Sequence, residues 1–255
     1  MPKNNHKNNP PPDPVSVILI AHNEVETIEK DVEDFYRVVV EKLPGSELIV
    51  TEDGSTDGTS ELLREIATRL PVKLIQSVER KGYIPALLDA IELSSQEWIL
   101  FSDTGGKFAP DDFWRLQERR SDSDLIIGVK VERGDQVYRQ VMTRIFNMLI
   151  RYYFRIPVRD IDSGLRLFRR DIFINAISEP LLLKDMIATE LTLRMFALGA
   201  RLGEVPVVYS SRQGKSRGMP PKKIPRVIVH VLSSFPRLKD DMYRLRGLAH
   251  SDEGS

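Results

Sequence analysis

Residues 15–20 form an unbroken apolar, β-branched run that stops at a polar turn, the pattern of a strand buried on both faces. The pattern returns at residues 48–51, 72–75, 98–101 and 125–131. Between the first two runs, Val25, Ile28, Val32, Phe35, Val38 and Val39 recur at helical spacing across residues 25–43. Further helical segments fall at about 56–70 and at 83–93. Alternating strands and helices predict a single α/β domain built on a mostly parallel sheet with helices on both faces. In such sheets ligands bind beyond the carboxyl ends of the strands, so the turns after Ile20, Thr51 and Phe101 are where chemistry is expected.

The second half is less regular. Residues 138–154 predict a long helix rich in Ile, Leu, Met, Tyr and Phe, with Arg139, Arg144 and Arg151 interleaved. Residues 186–198 predict a second amphipathic helix, and 204–209 a strand. After Ser211 the chain turns basic and turn-rich through Arg217, Gly218, Pro220, Pro221, Lys222 and Lys223, then runs through an apolar stretch at 224–232 into a charged tail. The organisation read from this is an N-terminal arm, 1–14, a main α/β domain, 15–217, and a basic, amphipathic extension, 218–255.

Charge and composition narrow the classes. The 37 Lys and Arg residues balance 37 Asp and Glu residues, which removes the global electrostatic case for nucleic-acid binding and makes any anion site local. With no cysteine there are no disulfides, thiolate zinc sites or cysteine nucleophiles, and the composition fits a reducing compartment. His6, His22, His230 and His250 are too scattered to suggest a metal cluster. The Asn, Lys and Pro of residues 1–14 read as a disordered arm without the apolar core of a signal peptide, so the expected location is the cytoplasm. No run approaches the roughly 18 apolar residues that span a bilayer, so any membrane contact is expected at its surface.

The first strand is followed by Ala21, His22, Asn23 and Glu24, the second by Glu52, Asp53, Gly54, Ser55, Thr56, Asp57, Gly58 and Thr59. Both turns place carboxylates where ribose hydroxyls or a base N–H could donate to them. Each turn alone equally suits turn and helix-cap chemistry. Neither carries the Gly-x-Gly-x-x-Gly spacing of a dinucleotide site. Together they resemble the family 2 glycosyltransferases of the GT-A fold, whose second strand ends in Asp-Asp-Gly-Ser-x-Asp-Gly-Thr. Here Glu52 replaces the first Asp. The similarity continues through Lys81 and Gly82, through Asp103, and through Asp160, Ile161, Asp162, Ser163, Gly164 and the run 165–170, covering about residues 15–217.

Within that family the chain is similar to the polyprenyl-phosphate enzymes of the dolichyl-phosphate mannose synthase type. The matching features are Thr143, Arg144 and Asn147, the Asp160 to Gly164 motif, and the basic loop Arg212, Gly214, Lys215, Ser216 and Arg217. The resemblance implies inverting transfer of a hexose from a nucleotide sugar to a polyprenyl phosphate. Ala21, Asn23, Glu24, Asp53 and Lys81 would line the nucleoside site, with Asp103 by the pyrophosphate. Lys130 and Arg144 would hold the acceptor phosphate, Asp160, Asp162, Ser163 and Gly164 would shape the sugar and acceptor side, and Arg212, Lys215 and Ser216 would close over the donor. Asp103, Asp160 and Asp162 are the catalytic candidates. A sugar or protein hydroxyl acceptor is the alternative and would need Asp160 or Asp162 as base. A non-catalytic nucleotide-sugar-binding subunit is a second one. Binding to a membrane-anchoring partner, or to a second copy, stays open.

One position breaks the pattern. Most family members carry Asp-x-Asp after this strand, two oxygen ligands for Mg²⁺ or Mn²⁺, with Asp103 the implied metal ligand here. This chain has Asp103, Thr104, Gly105, Gly106 and Lys107, so the second Asp is Gly105 and an ammonium follows. Either Asp103 holds a weakened metal site, or Lys107 and Lys215 share the phosphate neutralisation. The glycines could equally form only a tight turn that admits a differently shaped sugar.

Overall fold

The computed structural model describes residues 13–133, 137–178, 180–183, 186–210 and 224–252. In chain order the elements are β1 (Val15–Ala21), α1 (Ile28–Phe35, prolonged by a π-helical turn to Val40), β2 (Glu47–Asp53), α2 (Thr59–Arg69), β3 (Val72–Ser77), α3 (Tyr83–Leu93) and β4 (Trp98–Asp103). They continue with α4 (Asp112–Gln117), β5 (Leu125–Arg133), α5 (Val137–Phe154), β6 (Leu165–Arg169), α6 (Arg170–Ala176), α7 (Ile187–Ala197), β7 (Leu202–Tyr209) and α8 (Ile224–Asp252). The seven strands form one sheet in the order β3-β2-β1-β4-β6-β5-β7. Neighbours are parallel except for β6, which runs antiparallel to both β4 and β5.

The unbroken apolar runs are explained by two cores, one on each face. Alternate residues of a strand point to opposite faces. Val15, Val17 and Leu19 of β1 pack with Ile28, Val32, Leu63, Phe113 and Leu116 from α1, α2 and α4. Ile18, Ile49, Ile99 and Phe101 pack with residues of α3, α5, α7 and α8 on the other face. The parallel register sets Ala21 beside Glu52 and Ile20 beside Asp103, which brings the ends of β1, β2 and β4 to one edge of the sheet.

The charged tail expected after residue 232 is instead the continuation of α8. Val231, Phe235, Leu238, Met242 and Leu245 recur at helical spacing and are buried in the core against α7. The run 165–170, read only as a motif, divides into strand β6 and the start of α6. Among the described residues no helix is long and apolar enough to cross a membrane.

Candidate active site

The turns after β1 and β2 are laced into one surface. The Asn23 N–H donates to Ser55 Oγ at 2.8 Å, and Asn23 Oδ1 accepts the Thr56 N–H at 2.8 Å. The Glu24 N–H donates to Thr59 Oγ1 at 2.8 Å, and His22 Nδ1 donates to the Asp53 carbonyl at 2.8 Å. Asp53 is buried, its carboxylate accepting the N–H groups of Lys81 at 2.7 Å and Gly82 at 3.1 Å. Gly54 has φ +63°, and a Cβ there would sit 2.4 Å from the Arg80 nitrogen, so only glycine lets the two loops meet. Asn23, Glu24, Asp53 and Lys81 are thus gathered as the sequence implies. Asp53 nonetheless acts through the loop it closes, and the Lys81 ammonium is held by Asp89 at 2.7 Å. Ala21 is fully buried and closes β1 beneath this surface.

Asp103 ends β4 at the centre of the edge. Its N–H donates to the Gly164 carbonyl at 2.9 Å, and its carboxylate lies so close to Gly164 that an added Cβ would meet the Asp103 Cγ at 2.3 Å. Lys107 Nζ stands 3.3 Å from Asp103 Oδ2. Burial pulls the Lys107 ammonium toward its neutral form, but Asp103, with Tyr209, outweighs it and holds the pKa above the ordinary lysine value. Between them Gly105 (φ +94°) and Gly106 (φ +64°) form a left-handed turn. Asp31 of α1 captures both of that turn's N–H groups, at 2.7 and 3.1 Å.

Asp31 was not among the sequence candidates. It lies beside Ile28, Val32 and Phe35 on the buried stripe of α1, and a carboxylate on an apolar stripe is the signal that could have marked it. Burial raises its pKa despite the two amide donors.

On the far side, Asp160 is buried and its Oδ2 accepts the Lys130 N–H at 3.4 Å, with Lys130 Nζ at 4.0 Å and also 5.1 Å from the Tyr209 ring centroid. Asn147 of α5 accepts the Ile161 N–H at 3.3 Å. Arg166, near the start of β6, is buried and donates to the carbonyls of Ser163 at 2.6 Å, Ile161 at 2.6 Å and Ala188 at 3.0 Å, and to Thr192 Oγ1 at 2.8 Å. The loop from Asp160 to Gly164 is therefore fixed from two sides, leaving Asp162 half-buried at its turn. Desolvation pushes the Asp162 carboxyl up to about 6, Arg166 and Lys130 pulling the other way while Asp103 and Asp160 add to the rise. Ser163 Oγ is fully buried and has no hydrogen-bond partner among the described residues. Arg144 is exposed, one helical turn before Asn147. Arg212, Lys215 and Ser216 lie outside the described residues.

Mg²⁺ and Mn²⁺ take several oxygen ligands. At the position implied for the metal Asp103 offers one carboxylate, Gly105 offers no side chain, and the group at 3.3 Å is an ammonium. Among the described residues no three His, Cys, Asp or Glu side chains are grouped to hold an ion. The protein side chains at this position do not by themselves make a divalent-cation site.

A sheet led by parallel strands, with an antiparallel strand inserted next to β4 and motif turns gathered at one edge, defines the GT-A glycosyltransferase fold. Glucosyl-3-phosphoglycerate synthase from Mycobacterium tuberculosis, solved with Mn²⁺ and uridine-diphosphate-glucose, superposes with a TM-score of 0.66 at 21% identity, over 89% of this chain and 79% of that one. Glycosyl transferase family 2 matches residues 16–176, and the chain belongs to that family. The undecaprenyl-phosphate 4-deoxy-4-formamido-L-arabinose transferase of Pseudomonas aeruginosa is 26% identical over 64% of this chain, which spans 49% of that relative. The polyprenol monophosphomannose synthase of Mycolicibacterium smegmatis is 26% identical over 77% of each chain.

Proposed function

We propose that the chain is an inverting glycosyltransferase that moves a hexose from a nucleotide sugar to a polyprenyl phosphate. The observation that carries the acceptor is on α5. Val141, Ile145, Met148, Leu149 and Tyr152 form a stripe of exposed apolar side chains on the helix that presents Arg144. A cation beside an exposed apolar stripe suits a ligand with an anionic head and a hydrocarbon tail, and would lay α5 along a membrane surface. A small soluble acceptor has no use for that stripe. The names of the two relatives, an undecaprenyl-phosphate transferase and a polyprenol monophosphomannose synthase, support the same acceptor class. Family membership and the uridine-diphosphate-glucose of the structural neighbour support the donor.

In this reading Asn23, Glu24, Asp53 and Lys81 shape the nucleoside site, and Lys107 with Asp103 faces the diphosphate. Lys130 and Arg144 receive the acceptor phosphate, while Asp160, Asp162, Ser163 and Gly164 bound the sugar. An acceptor phosphate oxygen attacks the anomeric carbon as the bond to the diphosphate oxygen breaks, and the nucleoside diphosphate leaves with the electron pair. One displacement inverts the anomeric centre. The phosphate is already anionic near neutral pH, so no general base is needed and catalysis is positioning plus leaving-group stabilisation. Arg212, Lys215 and Ser216 are proposed to complete the donor side.

A hydroxyl acceptor is favoured by one observation, the raised carboxyl of Asp162, which suits a base. The test is transfer from a panel of radiolabelled nucleotide sugars to a short-chain polyprenyl phosphate, to 3-phosphoglycerate and to simple glycosides. Label in the lipid extract is the expected result. Label confined to a soluble acceptor overturns the lipid reading.

A further inference from the structure

We infer that the Lys107 ammonium stands in for the divalent cation at the donor diphosphate, so that this chain binds its nucleotide without metal. The inference rests on the nucleotide-sugar reading of the site and deepens it.

Three features of the turn argue for it. The first is that a second carboxylate is excluded as well as absent. Gly105 has φ +94°, a conformation L side chains rarely adopt, and its N–H is committed to the Asp31 carboxylate at 2.7 Å. An acidic side chain at 105 would be strained at this φ, and the turn is held in that conformation by the Asp31 contacts to both amides. The Asp31 contact and the two glycines thus form a unit that has closed the ligand position.

The second is that Lys107 is held in place from three directions. Its carbonyl accepts the Ser210 N–H at 3.0 Å, the next residue, Phe108, bridges to Tyr209 at the end of β7, and the two rings meet edge to face at 5.5 Å. Lys107 Nζ is anchored on Asp103 Oδ2 at 3.3 Å, and Asp103 is in turn seated against Gly164. A lysine side chain fixed at both ends has lost most of its rotamer freedom before any ligand arrives, which lowers the cost of using it.

The third is capacity. An ammonium has three N–H donors and no acceptor. Asp103 is the hydrogen-bond acceptor found for it among the described residues, and 26% of the side chain remains exposed, so the ammonium keeps donor capacity for a ligand at the edge where β1, β2 and β4 end. Phosphate oxygens are the acceptors that such a fixed cation serves best. Asp103 becomes the positioning residue that aims the ammonium.

The test uses the full chain and measures binding of GDP and UDP by calorimetry, in EDTA and in Mn²⁺, alongside the electron paramagnetic resonance signal of aqueous Mn²⁺. The expected result is a nucleotide affinity that differs by less than about threefold between EDTA and Mn²⁺, with the free Mn²⁺ signal no lower in protein plus nucleotide than in nucleotide alone. Lys107→Met should weaken binding in EDTA by about tenfold or more, while Lys107→Arg, which keeps the charge, retains most of it. Thermal melting of both variants checks that the fold is kept. Binding that needs Mn²⁺, depletes its free signal beyond what nucleotide alone does and survives Lys107→Met overturns the inference and leaves the donor reading standing. No nucleotide binding in either condition overturns the donor reading and the inference with it.

Discussion

Replacing Asp162 by Asn removes a charge from the centre of the site while leaving the shape of its loop intact. The loop is held by Arg166, whose donors are taken by Ser163, Ile161, Ala188 and Thr192, so losing the carboxylate leaves that guanidinium satisfied. Burial raises the folded-state pKa from 3.8 to about 6. A raised pKa means the folded state binds the proton more tightly than the unfolded state. The stabilisation is therefore complete below about pH 4 and is lost as pH rises through about 6. The full gap corresponds to about 3 kcal/mol. Roughly half of this is already lost at pH 5, so the stability of wild type relative to Asp162→Asn should fall by a further ~1.4 kcal/mol between about pH 5 and about pH 8. Urea unfolding of both proteins at the two pH values measures this, provided the denaturant slopes agree. An offset between the two proteins that is the same at both pH values, or that moves the other way, refutes the assignment of a desolvated carboxyl with a raised pKa.

The same variant separates the acceptor classes. A phosphate acceptor gains its own second negative charge near pH 6, and Asp162→Asn should keep that rise in rate. With a hydroxyl acceptor the rise belongs to Asp162 and disappears.

Two further outcomes follow from packing. Gly164→Ala puts a methyl group 2.3 Å from the Asp103 Cγ, so the carboxylate must move; a stability loss of about 1–3 kcal/mol and a transfer rate down by about tenfold or more are expected, checked by urea unfolding and the radiolabel assay. Glu190 is fully buried, accepts the Leu182 and Leu183 N–H groups at 2.8 and 2.6 Å and pairs with Arg194 at 2.7 Å, which also reaches Asp241 of α8 at 3.6 Å. Glu190→Ala should cost about 3–5 kcal/mol by removing the nearer counter-charge of a buried arginine and the acceptor of two N–H groups, read as a lowered urea midpoint.

What the sequence determined by itself were the elements whose signal is local. The strands β1, β2, β3, β4 and β5 announced themselves as largely apolar runs, and α3 as a helical pattern, because burial of β1, β2 and β4 on both faces leaves few polar positions and even edge strand β3 keeps Val72, Leu74 and Ile75. The ordered motifs at their ends carried the family and the gathering of Asn23, Glu24, Asp53 and Asp103 at one edge, since parallel strands place their carboxyl ends together. Strand β6 was hidden because Arg166 and Arg169 break its apolar pattern. Only the tertiary structure supplies the carbonyls and hydroxyl that make a buried Arg166 affordable, and only pairing with β4 and β5 makes the strand antiparallel. Helix α8 was hidden by Pro236 and its charges, although the spacing from Val231 to Leu245 was present to be read. The capture of the Gly105 and Gly106 amides by Asp31 joins residues more than seventy positions apart. No local pattern carries such a contact, because a buried carboxylate gains its donors only when the chain has folded around it.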